Sequence, residues 1–279
     1  MRIDVKKTYK LFIGGQFPRS ESGRSYELMD SKGNFLANPA LASRKDLRDA
    51  VVAARNVADK WASATAFNRS QILYRVAEMM EGRKEQFVAE IIAQEGVSKA
   101  QALKEVNEAI DLWVWYAGWC DKIASIYGGT NPVSGSFYNF TTPESLGVVA
   151  TFISDNDSLT SIVHGIAPIV AGGNVVVAIA HEDYPLSAIT LAEVIATSDV
   201  PGGVVNILTG KSSEIAPWVG SHMDIDGVDG SGLDSSTYDK LRKDGADNLK
   251  RINRFDDVKS PHRILAYMEN KTVWHPIGI

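Results

Sequence analysis

The spacing of apolar positions changes along this chain, and each change marks a different kind of element. Between residues 11 and 36, short apolar runs are separated by Gly14-Gly15, Ser22-Gly23 and Lys32-Gly33, which predicts short strands joined by tight turns. From Ser43 the period becomes helical. Ser43 is placed to cap a helix whose buried face is Leu47, Val51, Ala54 and Ala58. Ile72, Val76 and Met79-Met80 mark a second helix ending near Gly82, and Phe87, Ile91 and Ile92 mark a third ending at Gly96. Ser98 opens a long helix predicted to run through Ile126, with Leu103, Val106, Ile110, Trp113, Val114 and Ala117 as its apolar stripe. Tyr127-Gly128-Gly129 stops it. Residues 133–142 alternate weakly and predict an exposed hairpin or arm.

From Gly147 the apolar runs become short and continuous. Residues 147–153, 174–180 and 204–208 have strand length and no polar alternation, as expected for parallel strands buried on both faces. Residues 159–170 and 185–197 between them are helical in pattern. Strands and helices alternating at this spacing imply right-handed crossover units and a dinucleotide-binding arrangement. After Gly210 the pattern weakens. Residues 212–219 predict a short helix, 224–236 a loop, 238–249 a helix and 253–261 a polar linker. Ile264, Leu265, Tyr267, Val273 and Trp274 make the end apolar enough to predict a paired strand, within the chain or with another subunit. The fold class is therefore α/β: a Rossmann-like parallel sheet with flanking helices, an N-terminal helical region and a small β arm.

Composition narrows the function classes. The 279 residues, 44% hydrophobic and 23% charged, suit a globular protein of one large or two modest domains. A formal net charge of −5, with Arg251 and Arg254 scattered among acids, argues against a nucleic-acid partner. One cysteine excludes an internal disulfide, and the five histidines have no metal-ligand spacing. The start, MRIDVKKTYK, lacks the apolar run of a signal peptide, and stretches such as 162–171 fall short of a membrane span. These features predict a cytoplasmic protein without a membrane partner.

Several longer motifs occur in a fixed order. Phe12-Ile13-Gly14-Gly15 with Ser22-Gly23 comes first, then residues 50–61, then Trp115-Tyr116-Ala117-Gly118-Trp119 with Asp121-Lys122. Ile166-Ala167-Pro168 with Gly173-Asn174, Pro185-Leu186, and Pro201-Gly202-Gly203-Val204-Val205-Asn206 with Gly210 follow. Residues 246–251 come next, and Lys271-Thr272-Val273-Trp274 close the series. Together they resemble the aldehyde dehydrogenase superfamily over most of the chain. The resemblance implies a cofactor-binding domain in residues 1–129 and 143–252, and an oligomerisation arm and tail in 130–142 and 262–279. Between the last two motifs the family's catalytic domain is absent. Its Glu-Leu-Gly-Gly base motif is replaced by Asn253-Arg254-Phe255-Asp256-Asp257, and no Gly-Gln-x-Cys motif follows. Cys120 lies in a helical stretch beside Trp119 and Ile123, the setting of a packed thiol rather than a nucleophile. The face that a catalytic domain would cover is expected to carry apolar residues without an internal partner.

The resemblance also assigns candidate residues. Asn156, within Ser154-Asp155-Asn156-Asp157-Ser158, falls where the family places its oxyanion-binding Asn. The aromatic and proline supports are missing, two carboxylates have been added, and a turn asparagine is the plainer reading. Ile179-Ala180-His181-Glu182 falls where a Lys and a Glu hold the adenosine ribose. Ile179 cannot donate, Glu182 can accept, and His181 reads as an exposed loop residue or a substitute donor. Gly230 and Ser231 fall at the pyrophosphate turn, beside Asp229, with Ser235 where a second glycine is expected; an alignment shifted by a small deletion fits equally. The candidate cofactor residues are thus Ser154, Glu182, Gly230 and Ser231. NAD or NADP is implied with a degraded site, and no metal. No Gly-x-Ser-x-Gly elbow occurs, and His164 and Gly165 lie on an apolar helix where core packing explains them. The leading expectation is a chain inactive alone, a structural or regulatory subunit assembling with itself or with a full-length aldehyde dehydrogenase. The alternatives are an NAD(P)-dependent aldehyde oxidoreductase working jointly with a cysteine-bearing partner, and a module that senses the cofactor.

Overall fold

A computed structural model describes residues 6–154, 157–256 and 258–278. Two short strands, β1 (Leu28–Met29) and β2 (Phe35–Ala37), pair antiparallel in the glycine-punctuated N-terminal region. The helical periods follow as α1 (Arg44–Ala62), α2 (Ala66–Glu81), α3 (Lys84–Glu95) and α4 (Lys99–Ala117). Both α1 and α4 begin with capping boxes, Ser43 with Asp46 and Ser98 with Gln101, which satisfy amides the helix itself leaves open. Gly96 ends α3 with φ +71, a left-handed cap that suits glycine.

The long helix expected through Ile126 stops at Gly118. A turn follows, then α5 (Ile123–Tyr127). The break lets both Cys120 and Ile123 enter the core. Val114, assigned to the apolar stripe, is 40% exposed on the side of α4 that borders α2.

The main sheet has five parallel strands in the order β7-β6-β5-β8-β9. They are β5 (Val148–Phe152), β6 (Val175–Ile179), β7 (Val205–Leu208), β8 (Gly227–Asp229) and β9 (Arg251–Asn253). The first three are the continuous apolar runs, and every residue of theirs is buried. The crossovers run through α6 (Ser158–Ala171), α7 (Leu186–Ala196), α8 (Ser212–Ser221) and α9 (Ser235–Asp244). Right-handed crossovers place α6 and α7 on one face and α8 and α9 on the other. α4 packs on α6 and α3 on α7, so a second helical layer covers the first, while α1 packs on β6, β7 and α8.

Residues 224–236, expected as loop, contain β8, and β9 lies between the expected helix 238–249 and the expected linker, which it enters at Asn253. The predicted 238–249 helix is α9 followed by a single 3-10 turn, Gly245–Asn248. β8 and β9 have no apolar run of their own; their ladders are completed by β5 and by each other.

A second sheet, β10-β4-β3, is antiparallel. It comprises β3 (Gly129–Thr130), β4 (Phe137–Ser145) and β10 (Met268–Pro276). β10 pairs along all of β4, from Met268 with Ser145 to Pro276 with Phe137, so the apolar tail finds its partner within the chain. The short helix α10 (Pro261–Leu265) precedes it, where linker and strand were expected. Residues 254–256 and 258–267, between β9 and β10, form a strap that packs on β8. The ring of Tyr267 lies where a Cβ on Gly227 would stand, 2.8 Å away, and Arg263 reaches Asp229 at the other end of the strand. Gly227 and Asp229 are two residues apart and so share that face. No described helix is long and apolar enough to cross a membrane.

Candidate cofactor crevice

In a doubly wound sheet, ligands bind beyond the carboxyl ends of the strands where the strand order reverses. Here the reversal lies between β5 and β8. The structure brings Ser154 to the end of β5, Gly230 and Ser231 to the end of β8, and Glu182 just past the end of β6. Asp155 and Asn156 lie outside the described residues.

The turn after β8 is engaged internally at every amide from 230 to 233. Gly230 N donates to Asn253 O (2.9 Å), Ser231 N to Asp229 Oδ1 (3.0 Å), Gly232 N to Phe152 O (3.0 Å) and Leu233 N to Gly230 O (3.1 Å). The hydroxyl of Ser231 also donates to Asp229 and accepts from Phe255 N at 2.9 Å. The turn lies across the end of β5: a Cβ on Gly232 would stand 2.0 Å from Ile153 O. The start of α9 is capped by Asp234, whose Oδ1 accepts from Ser236 N (2.9 Å) and Thr237 N (3.0 Å). Carboxylates thus take the two positions where backbone amides would otherwise meet an anion.

Asp229 is 2% exposed. Its charge is met by Arg263, 3% exposed, at 3.1 Å. Arg263 also donates to Asp256 O (2.9 Å) and sits 4.9 Å from the ring of Phe255, while Arg254 stacks 3.9 Å from the ring of Tyr238.

At the ribose position, Glu182 is half-buried, and burial holds its carboxyl above the usual range. Its carbonyl accepts from the Tyr26 hydroxyl at 3.0 Å. His181 is buried rather than an exposed loop residue, and its Nδ1 accepts from the amides of Asp183 (3.0 Å) and Tyr184 (3.1 Å). It therefore organises its own turn. Ile179 is wholly buried in β6. Ser154 Oγ donates to Ser161 Oγ at 3.0 Å.

One cluster has no counterpart in the sequence reading. Glu95, Glu105 and Asp157 bring carboxylate oxygens within 4.8 Å of one another at the start of α6. Glu105 accepts from Leu159 N at 2.7 Å and Glu95 from the Ser158 hydroxyl at 2.6 Å. Burial, then the charge of Glu95, pushes Glu105 up to about 8. The positive end of the helix favours carboxylates there, and oxygen donors of this kind suit a hard cation. Glu95 ends α3, Glu105 lies in α4 and Asp157 stands at the N-cap of α6 some fifty residues on, so no motif spacing signals them. His164 is buried on α6, as core packing requires, and Cys120 is buried with its thiol pushed up to about 12, chiefly by burial.

A family model described as "Aldehyde dehydrogenase family" matches residues 18–273. The chain is 33% identical over 272 residues to aldehyde dehydrogenase 1A1 of Gallus gallus, covering 94% of this chain and 52% of that protein. It is 30% identical over 281 residues to cytosolic 10-formyltetrahydrofolate dehydrogenase of Mus musculus, covering 98% of this chain and 31% of the other. Among solved structures, the NAD+ complex of an aldehyde dehydrogenase from Bacillus cereus superposes with a TM-score of 0.82 at 28% identity, over 89% of this chain and 50% of that one. The chain therefore belongs to the aldehyde dehydrogenase family and spans about half the length, or less, of these relatives.

Proposed function

We propose that this family member does not oxidise aldehydes on its own and serves as a structural or regulatory subunit, assembling through its arm with itself or with a full-length aldehyde dehydrogenase. The observation that carries this reading is the route of the chain after β9. The strap leads to β10, and the sole thiol, Cys120, is packed in the helical layer. A buried thiol with a raised pKa is a poor nucleophile.

The fit of NAD or NADP is tested by the turn. A pyrophosphate needs open amides and a positive helix end. The amides of residues 230–233 are engaged, and Asp229 and Asp234 are anions at the place an anion would take. The residues present do not fit the group. The arm supports assembly, because β10 is an edge strand of a sheet that exposes Phe137, Tyr138 and Trp274. A cytoplasmic location belongs to the same proposal, by analogy with the relative named as cytosolic.

The test incubates the purified chain with aldehyde and NAD or NADP, and separately co-expresses it with a full-length aldehyde dehydrogenase before separation by size. No NADH or NADPH formation, together with a dimeric or larger mass or co-elution, is expected. Turnover by the isolated chain overturns the inactivity, and a monomer that never co-elutes overturns the subunit role.

A further inference from the structure

We propose that the strap of residues 254–256 and 258–267 acts as a latch. Arg263 holds the glycine turn shut across the end of β5, and the latch is seated by the docking of the C-terminal strand on β4. The first half rests on the contacts around Asp229. Its Oδ1 fixes the Ser231 amide at 3.0 Å and its Oδ2 takes Nη2 of Arg263 at 3.1 Å, so one carboxylate joins turn and strap. Ser231 Oγ accepts from the strap's Phe255 N at 2.9 Å, and Arg254 donates to the carbonyls of Gly230 and Leu233, giving three further links. A buried charge pair of this kind is costly to break from one side, because the partner left behind is an uncompensated charge.

The second half rests on the junction with β10. Tyr267, 1% exposed, closes the strap, and its carbonyl accepts from Leu146 N (3.1 Å) and from the side chain of Asn174 (2.8 Å). The next residue, Met268, opens β10, and Arg251 of β9 pairs with Glu269 at 2.6 Å and donates to the carbonyl of Met268. Only Ala266 and Tyr267 lie between α10 and β10, so undocking of β10 from β4 pulls on the segment that carries Arg263. Engagement of the arm is thereby transmitted to the crevice at the sheet's reversal point.

The experiment is hydrogen exchange of the full chain, with no aldehyde or nucleotide present, so its outcome is independent of the proposed lack of activity. The amides of Gly230, Ser231, Gly232 and Leu233 are followed, and those of β6 serve as the reference for global unfolding. Arg263→Met is expected to speed exchange in the turn by at least about tenfold while β6 stays protected. If that variant fails to fold, Asp229→Asn with Arg263→Met removes both charges of the pair and carries the same expectation. The coupling is tested by Thr272→Pro with Val273→Pro, which removes two consecutive N–H groups of β10, one of which must face β4. Exchange in the turn should rise with that in β10. A turn that stays protected after loss of Arg263 overturns the latch. A turn that stays protected while the β10 amides open overturns its dependence on the tail.

Discussion

Glu105 is 4% exposed, and its carboxyl is pushed up to about 8 from an ordinary 4.5. A carboxyl whose folded pKa lies above its unfolded one gains a proton on folding, so its contribution is greatest below the unfolded value and falls as pH rises from about 4.5 to 8. Glu105→Gln keeps an oxygen for Leu159 N and removes the titration. Melting curves from pH 5 to 8 should therefore show a smaller loss of stability in the variant, by roughly 2 kcal/mol at the upper end. Parallel curves would refute the assignment. Leu249 stands at φ +55 and is 88% exposed, so it carries left-handed strain without burial in return. Leu249→Gly should stabilise by about 0.5–1 kcal/mol, read as a Tm rise of about 1–3 °C; an unchanged or lower Tm counts against the strain. Cys120, with its thiol at about 12, should resist a colorimetric disulfide reagent at pH 8 and react fully in denaturant. Fast labelling of the folded chain would show the thiol to be accessible.

At the scale of elements, what was legible depended on whether the signal was local. The four N-terminal helices and strands β5, β6 and β7 carry their own period or apolar run, so sequence located them. Gly227-Val228-Asp229 and Arg251-Ile252-Asn253 carry neither, and they become strands only because a neighbour supplies the ladder. The same reason hid the Asp229–Arg263 pair and the three carboxylates at α6, whose members meet only after folding. The glycine turn was found because its glycine and serine are local, but the fate of its amides was not. The arm was legible as an apolar tail, and pairing resolved its partner. On it, Trp274 is 57% exposed and meets Phe137 edge-on at 5.7 Å, so the rim of this sheet presents aromatic surface to whatever docks there. Trp274→Glu should leave the circular dichroism unchanged and weaken self-association by about tenfold or more, measured by sedimentation. An unaltered dissociation constant would move the interface elsewhere.

At the scale of the whole molecule, the question is whether a sheet of dinucleotide-binding topology still takes a dinucleotide. Topology alone says that a ligand belongs at the reversal between β5 and β8. The side chains oppose it. A pyrophosphate entering that crevice has to displace Asp234 from the start of α9, free Ser231 N from Asp229, and lift Gly232 from its bond to Phe152 O. The first two of these steps bring like charges together, and the third breaks a backbone bond at a site with little room. Any one of these costs is comparable to the gain from a single charge-assisted hydrogen bond. Calorimetric titration of the purified chain with NAD should therefore give no saturable heat up to about 1 mM ligand, corresponding to a binding free energy weaker than about −4 kcal/mol. The mass of the same sample in solution should be dimeric or larger. Micromolar binding would mean that the turn opens at low cost, which would revive cofactor sensing and a joint enzyme with a cysteine-bearing partner. Absence of binding in a stable oligomer would leave assembly as the surviving reading.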